Sequence, residues 1–175
     1  MSILKVARMG HPVLRQRARP VDKSDLRNAL VQKLVDDMLE TMHEYHGVGL
    51  AAPQVHEGLR IFVALLDDEP DAKSEATIVI NPEITPHEGF TEDGWEGCLS
   101  IPDIRGLVPR HTDITVRSID RHGKAVELRL KNFPARVVQH ETDHLDGVLF
   151  PDRMSSMQSL TFLDEYSRFW SKDQD

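Results

Sequence analysis

Apolar residues recur at helical spacing between residues 24 and 45, where Val31, Leu34, Val35, Met38, Leu39 and Met42 share one face. This pattern predicts one long helix, with Ser24 available as its cap. Apolar runs follow at 60–66 and 76–81, and both read as strands. Residues 67–74 between them are charged and contain Pro70, which predicts a loop. Residues 113–119 and 125–130 flank the turn-forming stretch Asp120-Arg-His-Gly-Lys124 and read as a hairpin. A second helix is expected from Phe133, with Pro134 in its first turn, where a missing N–H costs little. It carries Phe133, Val137 and His140 on about the same face, and Gly147 can stop it. A C-terminal helix is expected from about Ser156. A strand-rich middle with helices on either side predicts an α+β fold.

Composition narrows the class. A chain of 175 residues suits one domain, taken here as residues 1–175, and can bury a real core. One cysteine excludes internal disulfides and suits a reducing compartment. No stretch approaches the ~18–20 apolar residues of a membrane span. A net charge of −8 offers no general attraction to DNA or RNA. The first twenty residues hold Lys5, Arg8, Arg15, Arg17 and Arg19 with no acid, a bias that mimics a transit peptide.

The candidate chemistry lies in His140-Glu-Thr-Asp-His144. On a helix, positions i and i+4 share a face, so both imidazoles can reach one metal ion. Glu141 then stands beside the first ligand, where it can serve as a general base on water. A bland reading is a polar stripe on an ordinary helix. A catalytic site of this kind normally takes a third protein ligand and leaves one position open. The metzincin extension requires a histidine where this chain has Phe150, so that reading fails at a named residue. A thermolysin-like third ligand could only be Glu165, which falls in an ordinary surface-helix pattern. Cys98 is the remaining candidate. A lone cysteine is usually a small buried hydrophobe, but Gly97 and Ser100 suggest a bend here. A thiolate with two imidazoles is a sound set for a first-row metal.

Three motifs stand in order: Gly47-Val-Gly-Leu-Ala-Ala-Pro-Gln54, Glu96-Gly-Cys-Leu-Ser100 and Gln139-His-Glu-Thr-Asp-His-Leu145. Together they closely resemble the signature motifs of the peptide deformylases, and the resemblance runs from Ile3 to about Met154. It implies antiparallel sheets around a central metal-bearing helix. It also implies removal of the formyl group from N-terminal formyl-methionine of new polypeptides, releasing formate. Cys98, His140 and His144 would bind one divalent ion, with Fe(II) expected and Ni, Co or Zn as substitutes. Hydroxide on that ion would attack the formyl carbon, with Glu141 as base and then acid. The Gln54 side chain and the Leu99 backbone N–H would donate to the oxyanion.

Gly47 and Gly49 free the backbone for close approach, so an extended substrate could pair against Val48 and Gly49 as an added strand. Val48, Phe133 and Val137 are candidates for an apolar methionine pocket, although all three could be ordinary core. Arg136 is a candidate for its rim. Arg105 matches a family position near the site mouth, with a solvated surface arginine as the bland alternative. The family-like opening at Ile3 favours a bacterial cytoplasmic enzyme and leaves a mature organellar form open. Some bacterial relatives end in a basic, ribosome-contacting helix, whereas residues 167–175 here are short and not basic. A metalloendopeptidase and a non-catalytic binding module are the competing classes. Retention of Glu141 argues against the latter, because binding alone needs no base.

Overall fold

The computed structural model describes residues 2–71, 74–87, 89 and 91–171. Its elements are β1 (Gly49–Ala51), β2 (Ile61–Leu65), β3 (Ala76–Pro86), β4 (Thr91–Cys98), β5 (Ile101–His111), β6 (Asp113–Ile119), β7 (Ala125–Lys131) and β8 (Thr161–Phe162), with helices α1 (Ala29–Glu44), α2 (Asn132–Leu145) and α3 (Leu163–Phe169). Every pairing between these strands is antiparallel. One sheet runs β1-β2-β3-β6-β7 and the other β4-β5-β8. The fold is therefore α+β, as the patterning predicts.

The inner strand β2 explains why the sheet needs helices on both sides. All five of its residues are buried. Alternation sends Ile61, Val63 and Leu65 to one face, where they join Val31, Val35, Met38 and Met42 of α1. Phe62 and Ala64 go to the other face, against Ala135, Val138 and Leu145 of α2. A third apolar cluster forms under β5 from Leu14, Ile101, Val108, Leu149 and Phe150. The helix α2 thus lies between the two sheets and contacts β1, β2, β5 and β7.

Several boundaries differ from the sequence reading. The first helix begins at Ala29, not Ser24. Residues Asp25–Arg27 form a separate short turn that buries Leu26, and the Ser24 side chain makes no capping bond. Asn28 caps instead, its side chain accepting from the Leu30 N–H. Strand β3 continues past Pro82 to Pro86 because a register shift between Ile80 and Glu83 absorbs the missing donor. The stretch 101–111, with Pro102 and Pro109, is strand β5, which periodicity did not assign. The bend expected at 97–100 is the tight turn joining β4 to β5, and Cys98 is the last residue of β4. The last helix begins at Leu163 rather than Ser156, because Thr161 and Phe162 first pair with Arg105 and Ile104 as β8. Residues 72 and 73 of the expected loop, and 172–175 of the tail, lie outside the described residues. Among the described residues no helix is long and apolar enough to cross a membrane.

Candidate metal centre

Two elements build the site. Helix α2 presents His140 and His144 one turn apart, with ring centroids separated by 5.0 Å. The end of β4 presents Cys98 to the same space. The Cys98 Sγ lies 3.3 Å from Nε2 of His144, and one ligand atom from each of the three residues falls within 4.8 Å of the others. Among the described residues this is the one group of three such side chains. Glu165 is exposed on α3 and takes no part, and Phe150 stacks on the His140 ring at 6.4 Å.

The residues fit a soft or borderline divalent ion. A tetrahedral site with bonds of about 2.0–2.3 Å needs donor atoms about 3.3–3.8 Å apart. Cys98 Sγ and His144 Nε2 already stand at that spacing, and the His140 donor lies within 4.8 Å of both. Burial alone would push the Cys98 thiol up, but the adjacent His144 and His140 outweigh it and hold the group well below its ordinary value. The thiolate is the form a metal requires. For His140, burial disfavours the charge, and hydrogen bonds to Cys98 and Glu96 overcome it.

Glu96 is the group that patterning missed. Its Oε2 lies 2.8 Å from Nδ1 of His140, which leaves Nε2 of that ring for the metal. The carboxylate is buried and holds its charge through His140 and Arg110, which together outweigh desolvation. Arg110 bonds both Glu96 oxygens at 2.9 and 3.0 Å and reaches Asp143 on α2 at 2.6 Å. Arg153 bonds Asp143 from the other side at 2.7 Å. Arg136, expected at the pocket rim, reaches back to Glu96 at 3.0 Å and to the carbonyls of Val108 and Glu92, both at 2.7 Å. The signal was legible in principle. Glu96 and Cys98 stand two residues apart at the end of β4, and despite the register shift between them both reach α2, at His140 and His144.

Glu141 is buried, and its Oε2 has no hydrogen-bond partner. Burial is the chief cause of its raised pKa of about 7, against the pull of His140 and His144. That is the range a proton carrier needs near neutral pH. Gln54 is also buried, with Oε1 fixed by the Ala51 N–H at 2.8 Å. This orients its Nε2 towards Ser100 Oγ at 3.2 Å and Cys98 Sγ at 3.6 Å.

Several of these groups line a cavity of about 710 Å³. Its lining includes Gly47, Val48, Gly49, Leu99, Arg105, Phe133 and Val137 as well as Gln54, Cys98, His140 and Glu141. His144 lies behind them, buried, and is not part of that lining. Val137 is buried, whereas Val48 and Phe133 stand exposed at the mouth. Arg105 occupies the space that a side chain on Gly97 would take, and bonds the Ile104 carbonyl at 3.0 Å. Strands β1 and β4 are each the outer strand of their sheet, and both border this cavity.

The polypeptide deformylase family model matches residues 3–160. The chain belongs to that family. It is 42% identical to peptide deformylase 2 of a Nostoc species, over 98% of this chain and 97% of the relative. The peptide deformylase structure from Thermotoga maritima superposes with a TM-score of 0.80 at 42% identity, covering 89% of this chain and all of that one. The class I type b peptide deformylase of Acinetobacter baumannii, solved with Met-Ala-Ser bound, gives a TM-score of 0.81 at 41% identity, covering 88% and 100%. This deformylase is thus an enzyme of a metal-dependent family that acts on formylated new polypeptides.

Proposed function

We propose that this deformylase hydrolyses the formyl amide of N-terminal formyl-methionine through one ion held by Cys98, His140 and His144. The observation that carries the reading is that trio beside a cavity lined by Cys98, His140 and Glu141, with the buried Glu141 keeping one oxygen, Oε2, without a partner. Fe(II) is the ion proposed, with Ni, Co or Zn as substitutes, and the whole of residues 1–175 serves as one catalytic domain. A divalent ion there supplies a Lewis acid and acidifies water near neutral pH.

The remaining steps belong to the protein. The peptide lies extended against the Val48–Gly49 edge, with its methionine side chain among Val48, Phe133 and Val137. The Acinetobacter relative was solved with Met-Ala-Ser bound, which supports a methionine-led peptide as ligand. Glu141 accepts the proton of the attacking water as its oxygen adds to the formyl carbon. The carbonyl oxygen gains negative charge, and the Gln54 amide and Leu99 N–H donate to it. Such donors are typically worth about 3–4 kcal/mol each. Glu141 then passes its proton to the departing nitrogen, the C–N bond breaks, and formate and a free amine leave. Arg105 at the mouth holds a backbone carbonyl of a later residue. A bacterial cytoplasmic setting fits nascent peptides as substrate.

The test is formate release from a formyl-Met tripeptide by Fe(II)-loaded protein prepared without oxygen, beside Glu141→Gln. Rapid release that the variant loses, with metal content kept, is expected. Metal binding without release would overturn the reading.

A further inference from the structure

A second cavity, of about 580 Å³, shares no lining residue with the catalytic one. It opens where the turn between β6 and β7 lies over the short turn that precedes α1, and nothing in the mechanism above uses it. Gly123 makes this close approach. Its φ of +81° favours glycine, and a Cβ there would lie 3.2 Å from Cδ1 of Leu26. Every titratable side chain that lines the cavity is basic, namely Lys23, Arg27, Arg121 and His122. The chain as a whole carries a net charge of −8, so this grouping opposes the average character of its surface.

Arg121 is fixed in place. Its Nε donates to Gln32 Oε1 at 2.9 Å, and its Nη2 donates to Asp36 Oδ1 at 2.8 Å. Gln32 in turn donates to the carbonyls of Leu26 and Arg121, at 2.8 and 3.0 Å. The guanidinium is therefore held before any ligand arrives, which lowers the ordering cost of binding. Its Nη1, and the side chains of Lys23 and Arg27, bond to no other described residue. Nearby acids have other partners: Asp120 accepts the N–H groups of His122 and Lys124, and Asp25 faces Arg19.

We propose that this cavity binds a small anion of linked phosphates. Phosphate oxygens match the fork of a guanidinium, and several charges are needed to engage Lys23, Arg27 and Arg121 together. Within a Debye length of about 8–10 Å these cations prevail over the charge of the whole chain. A long RNA strand fits less well, because its further phosphates would meet an acidic surface.

The experiment titrates inorganic pyrophosphate into the Zn(II)-loaded full chain and follows backbone amide shifts by NMR, with metal content measured afterwards. Saturable shifts at residues 121–123 are expected, with the metal retained. Sulfate, a single-centred anion, should bind more weakly by about tenfold or more. The double variant Lys23→Ala, Arg27→Ala should lose about tenfold or more in pyrophosphate affinity. Both side chains are exposed and make no described bond, so the fold and formate release from a formyl-Met tripeptide should be unchanged. No saturable shift at millimolar pyrophosphate, or shifts confined to the catalytic cavity, would overturn the inference. So would equal affinity in the double variant, or equal affinity for sulfate. Tighter binding of a ribo-oligonucleotide than of pyrophosphate would overturn the assignment to a small anion.

Discussion

A Cβ added to Gly49 would lie 2.3 Å from Oε1 of Glu141. The backbone of β1 and the buried carboxylate occupy adjoining space, and only glycine permits it. Gly49→Ala must therefore push Glu141 aside. A displacement of about 1 Å at a reacting group can cost on the order of 100-fold in rate. We expect a fall of that size in kcat/KM with metal content unchanged, read by formate release and metal analysis of the same sample. Near-normal turnover in Gly49→Ala would show that Glu141 tolerates the shift and would weaken its assignment as proton carrier.

Cys98→Ser tests the donor set. A hydroxyl is a far poorer ligand than a thiolate for a soft or borderline ion. The variant should lose Fe(II) affinity by more than about tenfold. The check is metal content after gel filtration, with circular dichroism to show that the fold is kept. Full occupancy at wild-type affinity would remove Cys98 from the ligand set.

The site was legible where chemistry repeats at fixed spacing. His140 and His144 fall on one helical face by arithmetic, and Glu141 follows from its place between them. Setting aside Phe150 and Glu165 leaves Cys98 as the third donor, the resemblance adds Gln54 and Leu99, and the geometry brings their side chains or backbone to one cavity. Glu96 belongs to the second motif, yet its role depends on the end of β4 and on Arg110, fourteen residues away on β5. Such partners are set by strand register, which period alone does not reveal. The same limit explains the missed strand β5. Its prolines look like breaks, yet it accepts β4 on one side and the short β8 on the other. The helix starts failed for a local reason: Ser24 and Asn28 are both good caps, and only burial of Leu26 chooses between them.

Arg110 is buried between two carboxylates, bonding Glu96 and Asp143. Arg110→Met keeps much of the volume but removes the one partner that bonds both Glu96 oxygens. Breaking a buried pair from one side typically costs about 3–5 kcal/mol. We expect a loss of that order in urea unfolding, and weaker metal binding because Glu96 no longer orients His140. An unfolding midpoint equal to that of the wild type would exclude a structural role for this network.

Asp37 gives a prediction about acid. Its side chain is buried on α1, accepts from the Ser2 N–H at 2.9 Å, and is bonded by Lys33 one turn earlier. The Lys33 bond is the main cause that holds its pKa below the ordinary carboxylate value, against the cost of desolvation. The folded state therefore prefers the charged form more than the unfolded chain does. That preference contributes fully above the unfolded pKa of about 3.9 and fades as pH falls through the lower folded value. Asp37→Asn should be less stable than the wild type at pH 7, with the gap narrowing below about pH 4. Thermal unfolding of both proteins across that range is the measurement. A gap that stayed constant down to the acid limit would mean that packing of the side chain, and not its charge, is what Asp37 contributes.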